Sequence, residues 1–343
     1  DPHQANNMIP EEKLPLVQKA LQAAFHTDTY DSITQLTKGL STALVFKINV
    51  DSQPYVLRIV TRTDAVADPA LYYGSMQTAA EGGIAPPIYY LSIEDRVSIT
   101  GYVRDEPFPA LLAKQLVPQL IRKLHALPKF GFRLNYFESV SKWLPRFIEK
   151  NILSEIAHKE LMSRHQAMVA AYPVNAIEEW VASHNDTKPE NMVFDGTRVW
   201  LIDWEAAFLN DRYLDLAIIA NFLVVTPSDE HDFLHEYLDR AATDYEITRF
   251  YVMRAILHFY YFTFLIAFDT GENPIDFSAI AHRDYRQFHK GMWDGHITLD
   301  NAQTKREYAM IHFEKFIAVT SETRMRKSLR LMSTHKQGEI ARD

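Results

Sequence analysis

The sequence predicts an α+β fold in two lobes, a small β-rich N-terminal lobe and a larger helical C-terminal lobe. Three observations predict it. Runs rich in β formers crowd into the first third, at 43–50, 55–60, 88–91 and 96–100. Helical periodicity takes over from Leu116 and, after Tyr213, persists to near the end. A single β island at 192–204 interrupts the helices. The crossing is expected near Gly101-Tyr102-Val103, which assigns residues 1–103 to the first lobe and 104–343 to the second.

Taken in order, Pro10-Glu11-Glu12 ahead of Leu14, Val17, Leu21 and Phe25 reads as a short amphipathic helix. Its acidic first turn suits the positive end of the helix dipole. Ile33-Thr34-Gln35-Leu36 and Gly39 lead into the strand at 43–50, Asp51-Ser52-Gln53-Pro54 is a turn, and 55–60 is the returning strand. A helix is expected over 69–81, stopped by Gly82-Gly83. Strands at 88–91 and 96–100 follow, then helices over 116–127 and in long stretches from 139 to 182.

Composition narrows the chemistry. Of the 343 residues 47% are hydrophobic, the share of a folded chain with a sizeable core. There is no cysteine, which removes disulfides, thiolate zinc sites and cysteine nucleophiles, and fits a reducing compartment. A net charge of −8 argues against nucleic acid as a partner and mildly favours a cationic substrate. The apolar run at 255–268 contains His258 and falls short of a membrane span, and no basic-then-apolar leader opens the chain. The expectation is a soluble, cytoplasmic protein without stable membrane insertion, its oligomeric state open.

The chemistry concentrates in one segment. His184-Asn185-Asp186-Thr187-Lys188-Pro189-Glu190-Asn191 runs into a strand, Asp195-Gly196 turns the chain, and the return strand delivers Ile202-Asp203-Trp204-Glu205. Phosphoryl transfer needs a carboxylate near the acceptor hydroxyl and cation ligands that hold the phosphates in line. Asp186 and Asn191, five residues apart on a loop, let one group face the acceptor and the other a metal. The hairpin then brings Asp203 beside them, and Asn191 and Asp203 are hard oxygen ligands of the kind Mg²⁺ prefers.

This ordered set, with Asp215-Leu216-Ala217 downstream, resembles the catalytic loop and metal-binding segment of the protein-kinase-like superfamily. Within it the segment is most similar to the choline/ethanolamine kinase and aminoglycoside phosphotransferase branch, over roughly 36–217. The resemblance implies a two-lobed kinase-like fold and an ATP-dependent small-molecule kinase, with Mg²⁺ as cofactor and a nucleotide and a small acceptor as partners. It implies Asp186 as catalytic base, Lys188 at the transferring phosphate, Asn191 and Asp203 as metal ligands, and Asp215 as a brace for the loop. Glu205 is expected to assist at the metal or the substrate, His184 to tie the loop to the core, and Trp204 either to pack or to touch substrate.

In the first lobe, Gly39, Ser41 and Thr42 match the family's nucleotide loop, Arg58 stands at the phosphate-pairing position of the third strand, and Gly101, Tyr102 and Val103 match the adenine-facing hinge. The acidic partner expected on the next helix has no counterpart: its place falls near Tyr72, with Asp68 and Glu81 as acidic neighbours. Three acceptor readings stay open: an amino alcohol such as choline or ethanolamine, an aminoglycoside, or none at all in a silent nucleotide-binding module.

Other signals carry less. His231 and His235 lie one helical turn apart but lack a third ligand at a known spacing, and read as an exposed acidic helix. No Gly-x-Ser-x-Gly elbow and no full Walker A loop occurs. The aromatic stretch from Phe250 to Phe268 is expected to be mostly core, with one or two rings lining a pocket, as in the cation cages of choline kinases. The basic stretch at 324–336, with interleaved Met and Leu, reads as a solvated terminal helix.

Overall fold

The computed structural model describes residues 8–36 and 43–342. After helix α1 (Leu14–Phe25) come strands β1 (Ser32–Gln35), β2 (Ala43–Val50) and β3 (Gln53–Val60), helix α2 (Tyr73–Glu81), and strands β4 (Ile88–Ser92) and β5 (Val97–Gly101). The strands form one antiparallel five-stranded sheet in the order β1-β2-β3-β5-β4. The β2–β3 hairpin closes on Asp51 and Ser52, both at positive φ (49° and 66°), the twist that a two-residue turn needs to match the sheet. Alternation in β2 buries Phe46, Ile48 and Val50 against Leu57, Ile59, Val97 and Ile99, and Val17, Ala20 and Leu21 of α1 cover them.

Helices α3 (Ala110–His125), α4 (Tyr136–Ser141), α5 (Leu144–Lys150) and α6 (Glu155–Ala171) open the second lobe. Four short strands follow, β6 (Val181–Ser183), β7 (Met192–Phe194), β8 (Val199–Leu201) and β9 (Phe208–Asn210), in two antiparallel pairs, β6 with β9 and β7 with β8. Then come α7 (Arg212–Leu223), α8 (Pro227–Leu238), α9 (Asp244–Ala267), α10 (Tyr285–Trp293), α11 (Ala302–Thr320) and α12 (Thr323–Ile340). The fold is thus α+β and two-lobed, as the distribution of strand and helix signals predicts.

Two stretches differ from expectation. The helix expected over 69–81 is a 3-10 turn, Pro69–Leu71, followed by α2. Asp68 caps the turn by accepting from Ala70 N at 2.9 Å, and Tyr72 at φ −138° breaks the helical path. The stretch 139–182 is interrupted by the left-handed Asn151 after α5 and ends in a strand, because Pro173 forbids continuation of α6 and turns the chain outward.

Helix α9 is the hub of the large core, packed against α5, α7, α11 and α12. By length and composition it could cross a membrane, yet 72% of its apolar window is buried inside the protein. Its apolar residues are therefore taken up by neighbouring helices, which accounts for the run at 255–268. The large core also includes Tyr72, Tyr73, Met76 and Ala79, so α2 is bound to the helical lobe as well as to the sheet it follows.

Candidate active site

The β6–β9 ladder sets the loop at 184–191, the candidate catalytic loop. Ser183 is the last residue of β6, and the chain leaves it through Asn185, at φ 67°, into Asp186. The fully buried carboxylate of Asp215, in the first turn of α7, holds this exit. It accepts from Ser183 Oγ (2.8 Å), His184 N (3.1 Å), Asn185 N (2.7 Å) and His125 Nε2 (2.8 Å). Burial works against the charge, but His125 and the other donors more than offset it and hold the carboxyl below its usual value. His184 is equally buried. Its Nε2 donates to the Ile202 carbonyl (2.9 Å), which leaves Nδ1 to accept from Asp186 N (3.2 Å). One imidazole thus links the catalytic loop to the residue before Asp203.

A 3-10 turn led by Pro189 carries Asn191 back under Asp186. Asn191 Nδ2 donates to the Asp186 backbone oxygen (2.8 Å) and to Asp186 Oδ2 (3.1 Å). Lys188 Nζ lies 3.6 Å from the same Oδ2 and 4.0 Å from Glu190 Oε2. Burial pulls the lysine pKa down, but Asp186, Glu190 and Asp203 raise it by more, so the ammonium stays charged. The β7–β8 hairpin turns on Asp195, whose Oδ1 accepts from Thr197 N and Arg198 N (2.8 Å each), and on Gly196 at φ 96°, where a side chain would be strained. The hairpin returns the chain beside Asn191, whose carbonyl accepts from Ile202 N at 3.0 Å, and Asp203 follows at φ 62°. A left-handed aspartate at the tip of a strand is a strained arrangement that the hairpin enforces.

The residues fit a cation. Among the described residues, Asp203 Oδ1 is buried without a hydrogen-bond partner, and Asn191 spends its NH₂ on Asp186, which leaves Oδ1 as its ligand atom. Two hard oxygens in neighbouring turns suit Mg²⁺, which completes its shell with phosphate and water.

Arg58 of β3 faces two carboxylates of this segment, Asp203 and Glu205, from the sheet. Its Nη2 lies 3.2 Å from Glu205 Oε2 and 3.6 Å from Asp203 Oδ1. Asp68 is occupied in its turn and Glu81 is exposed at the far end of α2, while Tyr72 and Tyr73 lie beside the guanidinium. The missing helix glutamate is thus answered by an acid from the other lobe. Gly101 ends β5, with its N–H donating to the Pro87 carbonyl (2.8 Å), and Lys47 sits over the Tyr102 ring at 4.5 Å. Just beyond Val103, Glu106 N donates to Phe194 O of the hairpin (2.8 Å), which fastens this hinge to the site. Gly39, Ser41 and Thr42 lie outside the described residues.

Trp204 is buried, its ring edge-on to His184 (4.8 Å) and to Phe130 (6.3 Å), with Nε1 donating to Leu201 O (3.1 Å). A cluster of rings joins two helices: half-buried Tyr260 and Tyr261 of α9, then buried Tyr308 and His312 of α11. After burial, the Asp186 carboxylate helps push the Tyr260 hydroxyl up to about 12, and Asp186 and Glu190 both help raise Tyr261. Arg133 is not singled out in the sequence, His125 reads there only as part of a core helix, and Tyr261 only as one ring of the aromatic stretch. Arg133 Nη1 donates to the Glu205 backbone oxygen at 3.1 Å. All three come from helices or loops far away in sequence, where no local pattern tells what they will meet.

The profile described as a phosphotransferase enzyme family matches residues 32–251. A curated relative from Metamycoplasma hominis, an uncharacterized protein, is 28% identical over 124 residues; the match spans 34% of this chain and about a quarter (24%) of that protein's length. Among solved structures, a choline/ethanolamine kinase family protein from Mesorhizobium loti has a TM-score of 0.64 at 19% identity, covering 94% of this chain and 99% of its own. A choline kinase from Cryptosporidium parvum gives 0.61 at 15%, covering 94% and 98%. A spectinomycin phosphotransferase bound to ADP and spectinomycin gives 0.54 at 13%, covering 87% and 98%. These structures share the fold, and the family profile covers the strands, the catalytic loop and Asp215. The chain belongs to the phosphotransferase enzyme family.

Proposed function

We propose that this protein transfers the γ-phosphoryl group of ATP to the hydroxyl of a small, amine-bearing alcohol of the choline or ethanolamine class. The observation that carries the reading is the convergence of Asp186, Asn191 and Asp203 at one end of the β7–β8 hairpin, with Arg58 opposite and Tyr260 and Tyr261 alongside. In this reading residues 1–103 hold the nucleotide and 104–343 supply the catalytic loop and the acceptor pocket. Asn191 and Asp203 hold Mg²⁺, which would neutralise phosphate charge. Asp186 orients the acceptor hydroxyl and takes its proton, and Lys188 moves from Glu190 toward the transferring phosphate. Arg58 grips phosphate oxygens, and the backbone of Gly101, Tyr102 and Val103 meets the base.

The acceptor class rests on the ring cluster. Partly exposed tyrosine faces beside two carboxylates attract an ammonium by cation–π and Coulomb terms together, whereas a neutral sugar gains from neither. ADP release with ATP and Mg²⁺ across choline, ethanolamine, other amino alcohols, sugars and aminoglycosides tests it. Turnover confined to amino alcohols is expected. Turnover on an aminoglycoside instead would move the chain to the antibiotic branch, and none on any acceptor while nucleotide still binds would overturn the reading. Asp203→Ala is expected to abolish the Mg²⁺-dependent part of nucleotide binding, read as the loss of the extra thermal shift that Mg²⁺ adds to ADP. Retention of that shift would remove Asp203 from the metal.

A further inference from the structure

We infer that Glu205 is the positioning residue for Arg58, taking over from the opposite lobe the task that an acidic residue on the helix after β3 would perform. The inference rests on the nucleotide-dependent reading above. Kinase-like sites fix the phosphate-pairing cation of the third strand with an ion pair from the following helix. Here that place is taken by Tyr72 and Tyr73, both buried and packed edge-to-face at 5.1 Å. The Tyr72 hydroxyl offers Arg58 a neutral hydrogen bond, but neither ring supplies the charge of an ion pair.

The arginine is aimed instead from across the cleft. Glu205 Oε2 accepts from Arg58 Nη2 at 3.2 Å, and Asp203 Oδ1, at 3.6 Å, is too far to be a hydrogen-bond partner. Glu205 is itself steadied through its backbone. Arg133 donates from Nη1 to the Glu205 carbonyl (3.1 Å) and from Nη2 to the Val66 carbonyl (3.1 Å), tying the segment after Asp203 to the loop that follows β3. Arg58 Nε is buried without a partner among the described residues, so Glu205 on Nη2 does not use up the donors of the guanidinium. The consequence is specific: the cation that grips phosphate is oriented only when the lobes are together, because its partner is on the far one.

The test is ADP binding by titration calorimetry in EDTA, without Mg²⁺, on the full chain as parent, Glu205→Gln, Arg58→Ala and the double variant. Glu205→Gln is expected to weaken Mg-free ADP binding by about tenfold, on the scale of one lost charge-assisted contact. In the Arg58→Ala background the same substitution is expected to add nothing, because its effect passes through the arginine. Additive losses overturn the assignment, as does Mg-free binding equal to the parent with a shift only in Mg²⁺ dependence, which would place Glu205 at the metal. Parent protein that binds ADP neither in EDTA nor with Mg²⁺ restored overturns the nucleotide reading itself, and parent that binds only with Mg²⁺ overturns the assignment. Equal melting temperatures across the four proteins show that the comparison reads binding rather than folding.

Discussion

Asp186→Asn is expected to reduce phosphoryl transfer by roughly 10²–10⁴-fold, the range that a positioned general base contributes, while nucleotide binding stays at the parental level. The substitution preserves shape. Asn191 Nδ2 keeps its 2.8 Å bond to the residue 186 backbone oxygen, so the loop has no reason to move. What is lost is the anionic oxygen that accepts from Asn191 at 3.1 Å, lies 3.6 Å from Lys188 Nζ and would receive the acceptor proton. An amide cannot take that proton. Coupled assay of turnover, with ADP titration as the control, decides the matter. A variant that turns over like the parent would sink the assignment of Asp186, and one that loses ADP binding in proportion would show that the residue serves the nucleotide instead.

Asp215→Ala is expected to cost about 3–5 kcal/mol of stability, the scale for removing one partner from a buried charged network. Four donors converge on this carboxylate, from Ser183, His184, Asn185 and His125. Ser183, His184 and Asp215 are fully buried and His125 nearly so, so the donors on these residues have no water to turn to. Ser183 Oγ can still turn to Asn185 Oδ1 (2.9 Å), but alanine takes the acceptor from the other three at the point where β6 hands the chain to the 184–191 loop. Chemical denaturation of parent and variant measures the effect, and a change below 1 kcal/mol would mean that the donors find other partners.

The same network predicts an acid limb. The Asp215 carboxyl is harder to protonate in the fold than in the unfolded chain, so its contribution is complete above the unfolded value near 3.8 and fades as pH falls through the lower folded value. The variant should lack this component, so its denaturation midpoint should fall less steeply than the parent's below pH 4.

The spacing of the motif was legible because phosphoryl transfer constrains it locally. Asp186, Asn191 and Asp203 lie on one loop and one hairpin, and the turn chemistry of Asp195 and Gly196 determines how they meet. The strands of the sheet were legible for a similar reason, since β2, β3 and β5 alternate or run apolar with turns of recognisable composition between them. Helix boundaries were less so. Proline and cap geometry at Asp68, Asn151 and Pro173 divided stretches that periodicity alone joins.

By itself, then, the sequence determined the α+β class, the order of the chemical groups and their assembly on a single hairpin, because each depends on neighbours within about 20 residues. The tertiary structure decided what depends on residues far apart in the chain: Arg58 meeting Glu205 across 147 residues, His125 reaching Asp215 across 90, and Tyr261 and Tyr308 forming one cluster from two helices. A charge or a ring in isolation carries no address. Only tertiary packing, as of α9 against α11, brings such groups together and so gives each its partner.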